Sequence, residues 1–125
     1  MTALSKAFIL CGVFYIIIGM SVGLYMAANQ DFTLRPLHSH LNLMGWVSML
    51  LFGLYYAVVK DAGIGKLPKI HFTLANIGML MTAPGLFLFY TGNLDAEILA
   101  KIGSSIFFLS ILTFGWVVLR TKPSA

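Results

Sequence analysis

Apolar and polar segments alternate along this chain in a regular order. Four stretches that contain no Asp, Glu, Lys or Arg are separated by short polar segments, and they cover 7–28, 37–59, 70–94 and 102–119. A helix that crosses a bilayer needs about 17 to 25 mostly apolar residues. The pattern therefore predicts four membrane-spanning helices, over about 7–28, 37–59, 70–94 and 97–119.

The segments between the predicted helices are short. Segments 29–36 and 60–69 each contain a proline close to the start of the next helix, where the fixed backbone angle of proline is tolerated. The turn at 91–95 is shorter still. Because short connections favour antiparallel neighbours, we expect an all-α fold. It would form one transmembrane domain over 1–125, built as an antiparallel four-helix bundle.

Composition excludes the other broad classes of protein. Of the 125 residues, 59% are hydrophobic and only 10% are charged. A soluble domain this small exposes a large fraction of its residues to water and needs more charged side chains than this chain has. A disordered chain contains fewer apolar residues than this chain does. The single cysteine, Cys11, cannot form an internal disulfide. We therefore expect an integral membrane protein surrounded by the lipid bilayer.

The distribution of charge predicts the orientation of the chain. Six of the eight basic residues lie in the N-terminal segment, the central connection and the C-terminal segment: Lys6, Lys60, Lys66, Lys69, Arg120 and Lys122. The positive-inside rule then places both termini and the central connection in the cytoplasm. Since the net charge of +4 follows the membrane topology, it gives no support to nucleic-acid binding.

Small residues mark the predicted contact face of the first helix. Gly19, Gly23 and Ala27 follow one another at intervals of four residues. This spacing lets two membrane helices approach closely. We interpret the three residues as a helix-packing face.

The chemistry of the chain depends on two histidines at the start of the second helix. The apolar spans contain no paired carboxylates, and polar side chains at membrane depth are costly and tend to be functional. His38 and His40 are two positions apart, so they point about 200° apart around an α-helix. They cannot ligate one ion together, but each could contact a different neighbour.

Three further residues extend this candidate site. Asn42 and Gly45 follow His38 at helical spacing, and the absent side chain of Gly45 would leave room for a flat group. Arg35 lies one turn before His38 and could meet a carboxylate at the membrane surface. A role in interhelical hydrogen bonding stays open for both histidines, because such contacts are common between membrane helices.

The third histidine belongs to a different part of the predicted bundle. His71 begins the third helix, on the side of the membrane opposite to the other two. At 1.5 Å per residue, the helices separate it from them by about 20 Å or more. We interpret His71 as a residue of a helix–helix interface.

The second and third spans resemble part of a known family. The run HSHLNLMGWVSMLLFGLYY, 38–56, resembles the tenth helix of heme-copper oxidase subunit I, which opens with H-x-H and ends in Tyr-Tyr. The run KIHFTLANIGML, 69–80, is similar to the following helix of that family. The approach LRPLH, 34–38, is similar to the second helix of the cbb-type oxidases. The interval from H-x-H to the first glycine is one residue shorter than in the family.

The resemblance implies a heme site. In the family, one histidine of H-x-H ligates each of two hemes, so His38 and His40 are implied as ligands of b-type heme iron at the outer side of the membrane. The resemblance gives no counterpart for the copper-binding histidines or the cross-linked tyrosine of the oxidases, nor for the additional glutamates of nitric oxide reductases. Reduction of oxygen or nitric oxide by this chain alone is therefore not expected.

The resemblance also implies an oligomer. Subunit I has twelve helices with pseudo-threefold symmetry, and this chain resembles one four-helix repeat. We expect a homotrimer in a bacterial inner membrane, in which His38 of one protomer and His40 of its neighbour hold heme and Arg35 pairs with a propionate. Such a protein would transfer electrons to or from a redox partner, or handle O2 or NO. The alternatives are a copper-binding accessory protein and a structural or assembly subunit without a cofactor.

Overall fold

The computed structural model describes residues 1–123, and every regular element in that part is helical. Its four long helices are α1 (Ala3–Asn29), α2 (Arg35–Val58), α3 (Leu67–Tyr90) and α4 (Glu97–Arg120). A short 3-10 turn precedes each of the last two helices, at Lys60–Gly63 and Leu94–Ala96. The prediction of an all-helical chain with four long helices is confirmed.

The surface of the helices is apolar. Each of the four is long and apolar enough to cross a membrane. Large hydrophobic side chains project outward along all of them, and Leu24, Val58 and Leu119 are 68%, 80% and 78% exposed. In water this much apolar surface would drive aggregation, whereas lipid tails cover it without penalty. The chain therefore has the surface of a multi-pass membrane protein.

Local signals in the sequence set the helix ends. Thr2 caps α1 by accepting a hydrogen bond from the backbone N–H of Ser5 at 3.1 Å. Pro36 and Pro68 occupy the first turns of α2 and α3. Helix α3 ends at Tyr90 and not at the predicted 94, because the chain turns at Gly92 with φ of +113°, which other residues rarely adopt.

Helices α1 and α2 form an antiparallel pair, called here the first pair. Contact positions rise along α1 as they fall along α2: Gly12 faces Met49, Gly19 faces Asn42, and Gly23 faces His38. The predicted packing face is confirmed for Gly19 and Gly23, whereas Ala27, its third predicted residue, is exposed. In each of these contacts the glycine receives a side chain of α2.

Helices α3 and α4 form a second antiparallel pair, and it is packed differently. A Cβ atom added at Gly78 would lie 2.7 Å from the backbone nitrogen of Phe107, and one added at Gly85 would lie 2.5 Å from that of Ala100. These glycines therefore bring two backbones together. They do not accommodate a side chain.

Polar and aromatic contacts join the two pairs. The Tyr15 hydroxyl donates a hydrogen bond of 3.0 Å to Oδ1 of Asn76, near the middle of α3. Closer to the end where α1 and α3 begin, Phe52 of α2 packs against Phe114 of α4, with ring centroids 4.7 Å apart. That end of the molecule carries the six basic residues named above and is called the basic end. The opposite end, where α2 and α4 begin, is called the acidic end.

Helix α2 contains a π-helical segment that the sequence pattern does not predict. It is α-helical at Arg35–His40, π-helical at Leu41–Ser48 and α-helical again at Met49–Val58. Its buried residues recur every four positions at Leu37, Leu41, Gly45 and Met49. Four residues overshoot one α-helical turn by about 40°, and the wider π-helical turn compensates for this drift. The mixture keeps one face of α2 directed at the core.

Candidate functional site

The candidate site lies at the acidic end, where α2 begins. The preceding loop turns back through Asp31, whose carboxylate accepts hydrogen bonds from the side chain and the backbone N–H of Thr33. These hydrogen bonds, that from the Thr33 side chain first, lower the pKa of the Asp31 carboxyl. The π-helical segment starts directly after His40, and such segments are frequent at functional sites.

His38 is turned inward, and both of its ring nitrogens have hydrogen-bond partners within the chain. Nδ1 lies 2.7 Å from the carbonyl oxygen of Gly19, and Nε2 lies 3.1 Å from the amide nitrogen of Asn42. A carbonyl only accepts, so Nδ1 carries the proton and Nε2 accepts from Asn42. The ring fits against Gly23, where an added Cβ would lie 2.7 Å from Cε1. In this arrangement His38 joins α2 to α1.

Asn42 is half satisfied. Its amide nitrogen donates to His38, but its Oδ1 is buried and has no hydrogen-bond partner within residues 1–123. This oxygen faces Gly19, where an added Cβ would collide with it. The absent side chain of Gly19 therefore provides the space for Asn42.

His40, unlike His38, forms a hydrogen bond through only one of its two ring nitrogens in the described part of the chain. Its Nδ1 lies 2.7 Å from the carbonyl oxygen of Pro36, one turn earlier in the same helix. Nδ1 must therefore carry the proton, and the lone pair is on Nε2. Within residues 1–123 Nε2 has no hydrogen-bond partner, and it is not among the buried polar atoms. A histidine held through Nδ1 by a backbone carbonyl, with Nε2 open, has the arrangement that metal-ligating histidines adopt.

The remaining predicted residues do not gather around the histidines. The expectation that Gly45 leaves room for a flat group is wrong, because the Tyr15 side chain fills that space: an added Cβ would lie 2.6 Å from the Cβ of Tyr15. Arg35 is exposed, with its guanidinium carbon 5.7 Å from the centre of the Phe32 ring. The structure thus brings together only His38 and Asn42 from the predicted set.

The acidic end of the chain offers few side chains that could ligate a metal ion. Across the described 1–123, no three His, Cys, Asp or Glu side chains are grouped so that they could hold a metal ion.

His71 forms a second polar site, at the basic end. The ring is fully buried, and its Nδ1 lies 2.9 Å from the hydroxyl oxygen of Tyr56 on α2. The interpretation of His71 as a helix–helix interface residue is confirmed. Its Nε2 is buried and has no hydrogen-bond partner within residues 1–123. The aromatic rings around it belong to Phe8, Phe52, Tyr56 and Phe114.

The Tyr56 contact was missed, although the sequence contains a signal for it. Two antiparallel helices joined by a short connection bring together residues at similar distances from that connection. Tyr56 lies shortly before the 59–66 segment and His71 shortly after it, so the fold brings these two residues together.

No protein-family model, no curated protein and no solved structure matches this chain.

Proposed function

We propose that this chain is a b-type heme-binding protein of a bacterial inner membrane, with His40 as a ligand of the iron. The observation that supports this proposal is the hydrogen bonding of the His40 ring. Its Nδ1–H donates to Pro36 at 2.7 Å, and its Nε2 lone pair is open to the surface. Heme iron is commonly held by a neutral imidazole nitrogen.

The membrane orientation follows from charge. The basic end carries Lys6, Lys60, Lys66, Lys69, Arg120 and Lys122, while the acidic end holds three of the four acidic residues. The positive-inside rule supports placing the basic end, and with it both termini, in the cytoplasm. His40 then lies at the outer side of the membrane.

The protein would act as a homo-oligomer. One protomer presents His40 alone at the acidic end, because His38 is occupied by Gly19 and Asn42. A further ligand of the iron would come from a neighbouring protomer, or a diatomic gas would bind at a position that no side chain fills. The resemblance to one repeat of a pseudo-threefold subunit favours a homotrimer among the closed oligomers.

The residues of this chain would prepare the site. Pro36 fixes the tautomer and orientation of His40, so that little freedom is lost on ligation. Arg35 is exposed five residues before His40 and presents a guanidinium suited to a propionate carboxylate. Bound heme would supply one-electron exchange with a redox partner, or would bind a diatomic gas.

A structural or assembly subunit is the second candidate. It is favoured by His38, which bonds to Gly19 of α1, and by Asn42, which supports the His38 ring and packs against Gly19. A copper-binding accessory protein fits less well, because no group of three metal-ligating side chains occurs among the described residues.

Heme titration of the detergent-purified protein tests the proposal. We expect a Soret band that saturates at a fixed number of hemes per oligomer and is lost in His40→Ala. Ser39→Ala is the matched control, because Ser39 lies in the same turn and makes no side-chain hydrogen bond in the structure. Absence of a Soret band in the wild type, or an equal band in His40→Ala, would contradict the proposal. Copper found by metal analysis in protein that takes up no heme would favour the accessory function.

A further inference from the structure

The basic end contains a cleft between parts of the chain that are distant in sequence. It lies between the end of α2, the following 3-10 turn and the segment that leaves α4, and its volume is about 740 Å³. Nothing in the proposed heme site uses this cleft, which is at the opposite end of the bundle from His40.

Three cations line the cleft. Lys60 follows α2, Arg120 ends α4, and Lys122 lies two residues further on. Asp61 is the carboxylate among the lining residues. Within residues 1–123 the single ion pair joins Lys101 to Glu97 at the acidic end, so direct pairing with Asp61 does not neutralise these cations.

Arg120 is held in place across the cleft. Its Nη2 donates a hydrogen bond of 3.2 Å to the carbonyl oxygen of Ile64, which lies 56 positions earlier in the chain. This contact uses one of the five N–H donors of the guanidinium. The hydrogen bond therefore fixes the guanidinium at the wall of the cleft.

Helix ends account for only part of this positive charge. Helices α2 and α4 both end here, and each C-terminus is equivalent to about half a negative charge that attracts one cation. Lys60 and Arg120 could serve those two ends. Lys122 lies outside either helix, in a part of the chain without regular structure, so helix stabilisation gives no reason for its position.

Apolar side chains border the cations. Val58 and Ile64 in the cleft lining are 80% and 67% exposed, and Leu119 beside Arg120 is 78% exposed. A soluble anion would gain nothing from these side chains. A molecule with a phosphate head and hydrocarbon tails would contact both the cations and the apolar border.

We infer that the cleft binds the phosphate of an anionic glycerophospholipid. Lys60, Arg120 and Lys122 would contact the headgroup, and Val58, Ile64 and Leu119 the first carbons of the acyl chains. Basic pockets at the cytoplasmic ends of membrane helices recognise such headgroups. The choice of the cytoplasmic leaflet rests on the membrane orientation proposed above, but the site itself does not depend on heme.

The test compares two double variants that remove the same charge. Arg120→Gln/Lys122→Gln changes the cleft, whereas Lys66→Gln/Lys69→Gln removes two cations of the same end that do not line it. Binding of phosphatidylglycerol and phosphatidylcholine to the protein in a neutral detergent is measured by native mass spectrometry. Of the four substituted side chains, only Arg120 makes a hydrogen bond within residues 1–123, the one to Ile64. Circular dichroism checks that both variants stay helical.

We expect the cleft variant to bind phosphatidylglycerol about tenfold more weakly, the loss of roughly one charge-assisted contact. The control variant should stay within about twofold of the wild type. Equal losses in both variants, or equal binding of phosphatidylcholine by the wild type, would overturn the inference. Displacement of phosphatidylglycerol by an excess of inorganic phosphate would also overturn it, because the apolar border would then contribute nothing and the site would be one for a free anion. Failure of such displacement supports the lipid.

Discussion

The two helix pairs use glycine for different purposes. In the first pair, Gly19 and Gly23 of α1 make room for the polar side chains of Asn42 and His38 on α2. In the second pair, Gly78 and Gly85 of α3 bring its backbone against the backbone of α4. These two glycines of the first pair thus face polar side chains, whereas the two of the second pair face backbone. A methyl group added at Gly19 or Gly23 meets a side chain that can move, whereas one added at Gly78 or Gly85 meets backbone that cannot move without its helix.

The largest loss of stability is expected in the second pair. In Gly85→Ala the new methyl group would lie 2.5 Å from the backbone nitrogen of Ala100, and neither helix can yield without moving its neighbour. We expect a loss of about 3 kcal/mol, at the upper end of the usual range for overpacking. The measurement is the free energy of unfolding in mixed micelles.

Gly115→Ala is the matched control on α4. An added Cβ at Gly115 has no atom within 4 Å, and alanine favours a helix over glycine by up to about 1 kcal/mol. We therefore expect no loss of stability. Equal destabilisation by both substitutions would show that the close backbone contact of the second pair is not what matters.

The next largest effect is expected where the two pairs meet, at the basic end. Tyr56→Phe removes the 2.9 Å hydrogen bond and leaves both nitrogens of the buried His71 without a partner. We expect a loss of about 2 kcal/mol in the free energy of unfolding. In Tyr56→Phe/His71→Phe both polar groups are gone, so the double variant should recover most of that loss. A double variant less stable than Tyr56→Phe would count against this account.

A smaller effect is expected in the first pair. In Gly23→Ala the methyl group meets the edge of the His38 ring, which can turn away at the expense of its hydrogen bond to Gly19. We expect a loss of about 1 kcal/mol, at the lower end of the range for overpacking. In a His38→Ala background the same substitution should be nearly neutral, because the obstructing ring is absent. The double-mutant cycle measures this coupling, and additive losses would contradict the difference between the pairs.

The smallest effect is expected at the other contact between the pairs. Tyr15→Phe removes one hydrogen bond to Asn76 and leaves the packing of the ring against Gly45 unchanged. Interhelical hydrogen bonds in membranes contribute about 0.6 kcal/mol on average, and we expect a loss of that size. A loss as large as that of Gly85→Ala would mean that the polar contact, and not close packing, dominates the bundle.

Most of the fold could be predicted from the sequence. The four helices follow from the uncharged stretches, since only helices satisfy their own backbone in so apolar a chain. The contact face of α1 follows from the spacing of Gly19 and Gly23. The π-helical segment of α2 could not be predicted, because it depends on which residues of α2 the neighbouring helices bury. Hydrophobic spacing alone does not separate this case from a regular helix.

The candidate site was predictable only in part. The sequence correctly indicates that His38 and His40 face different surroundings, because the angle between them depends on helix geometry alone. It does not tell which of the two is turned inward. That choice depends on the register of α1 against α2, which places Gly23 beside His38. The same register places Tyr15 over Gly45, so the space expected at Gly45 is occupied.

The most direct test of the central claim compares the absorption spectra of His38→Ala and His40→Ala after heme reconstitution. His40 has the Nε2 atom without a partner within residues 1–123, whereas His38 joins α2 to α1. We therefore expect His40→Ala to lose the Soret band at unchanged stability. His38→Ala should keep the band while its free energy of unfolding falls. A Soret band that survives in His40→Ala would contradict the assignment of His40 as the ligand.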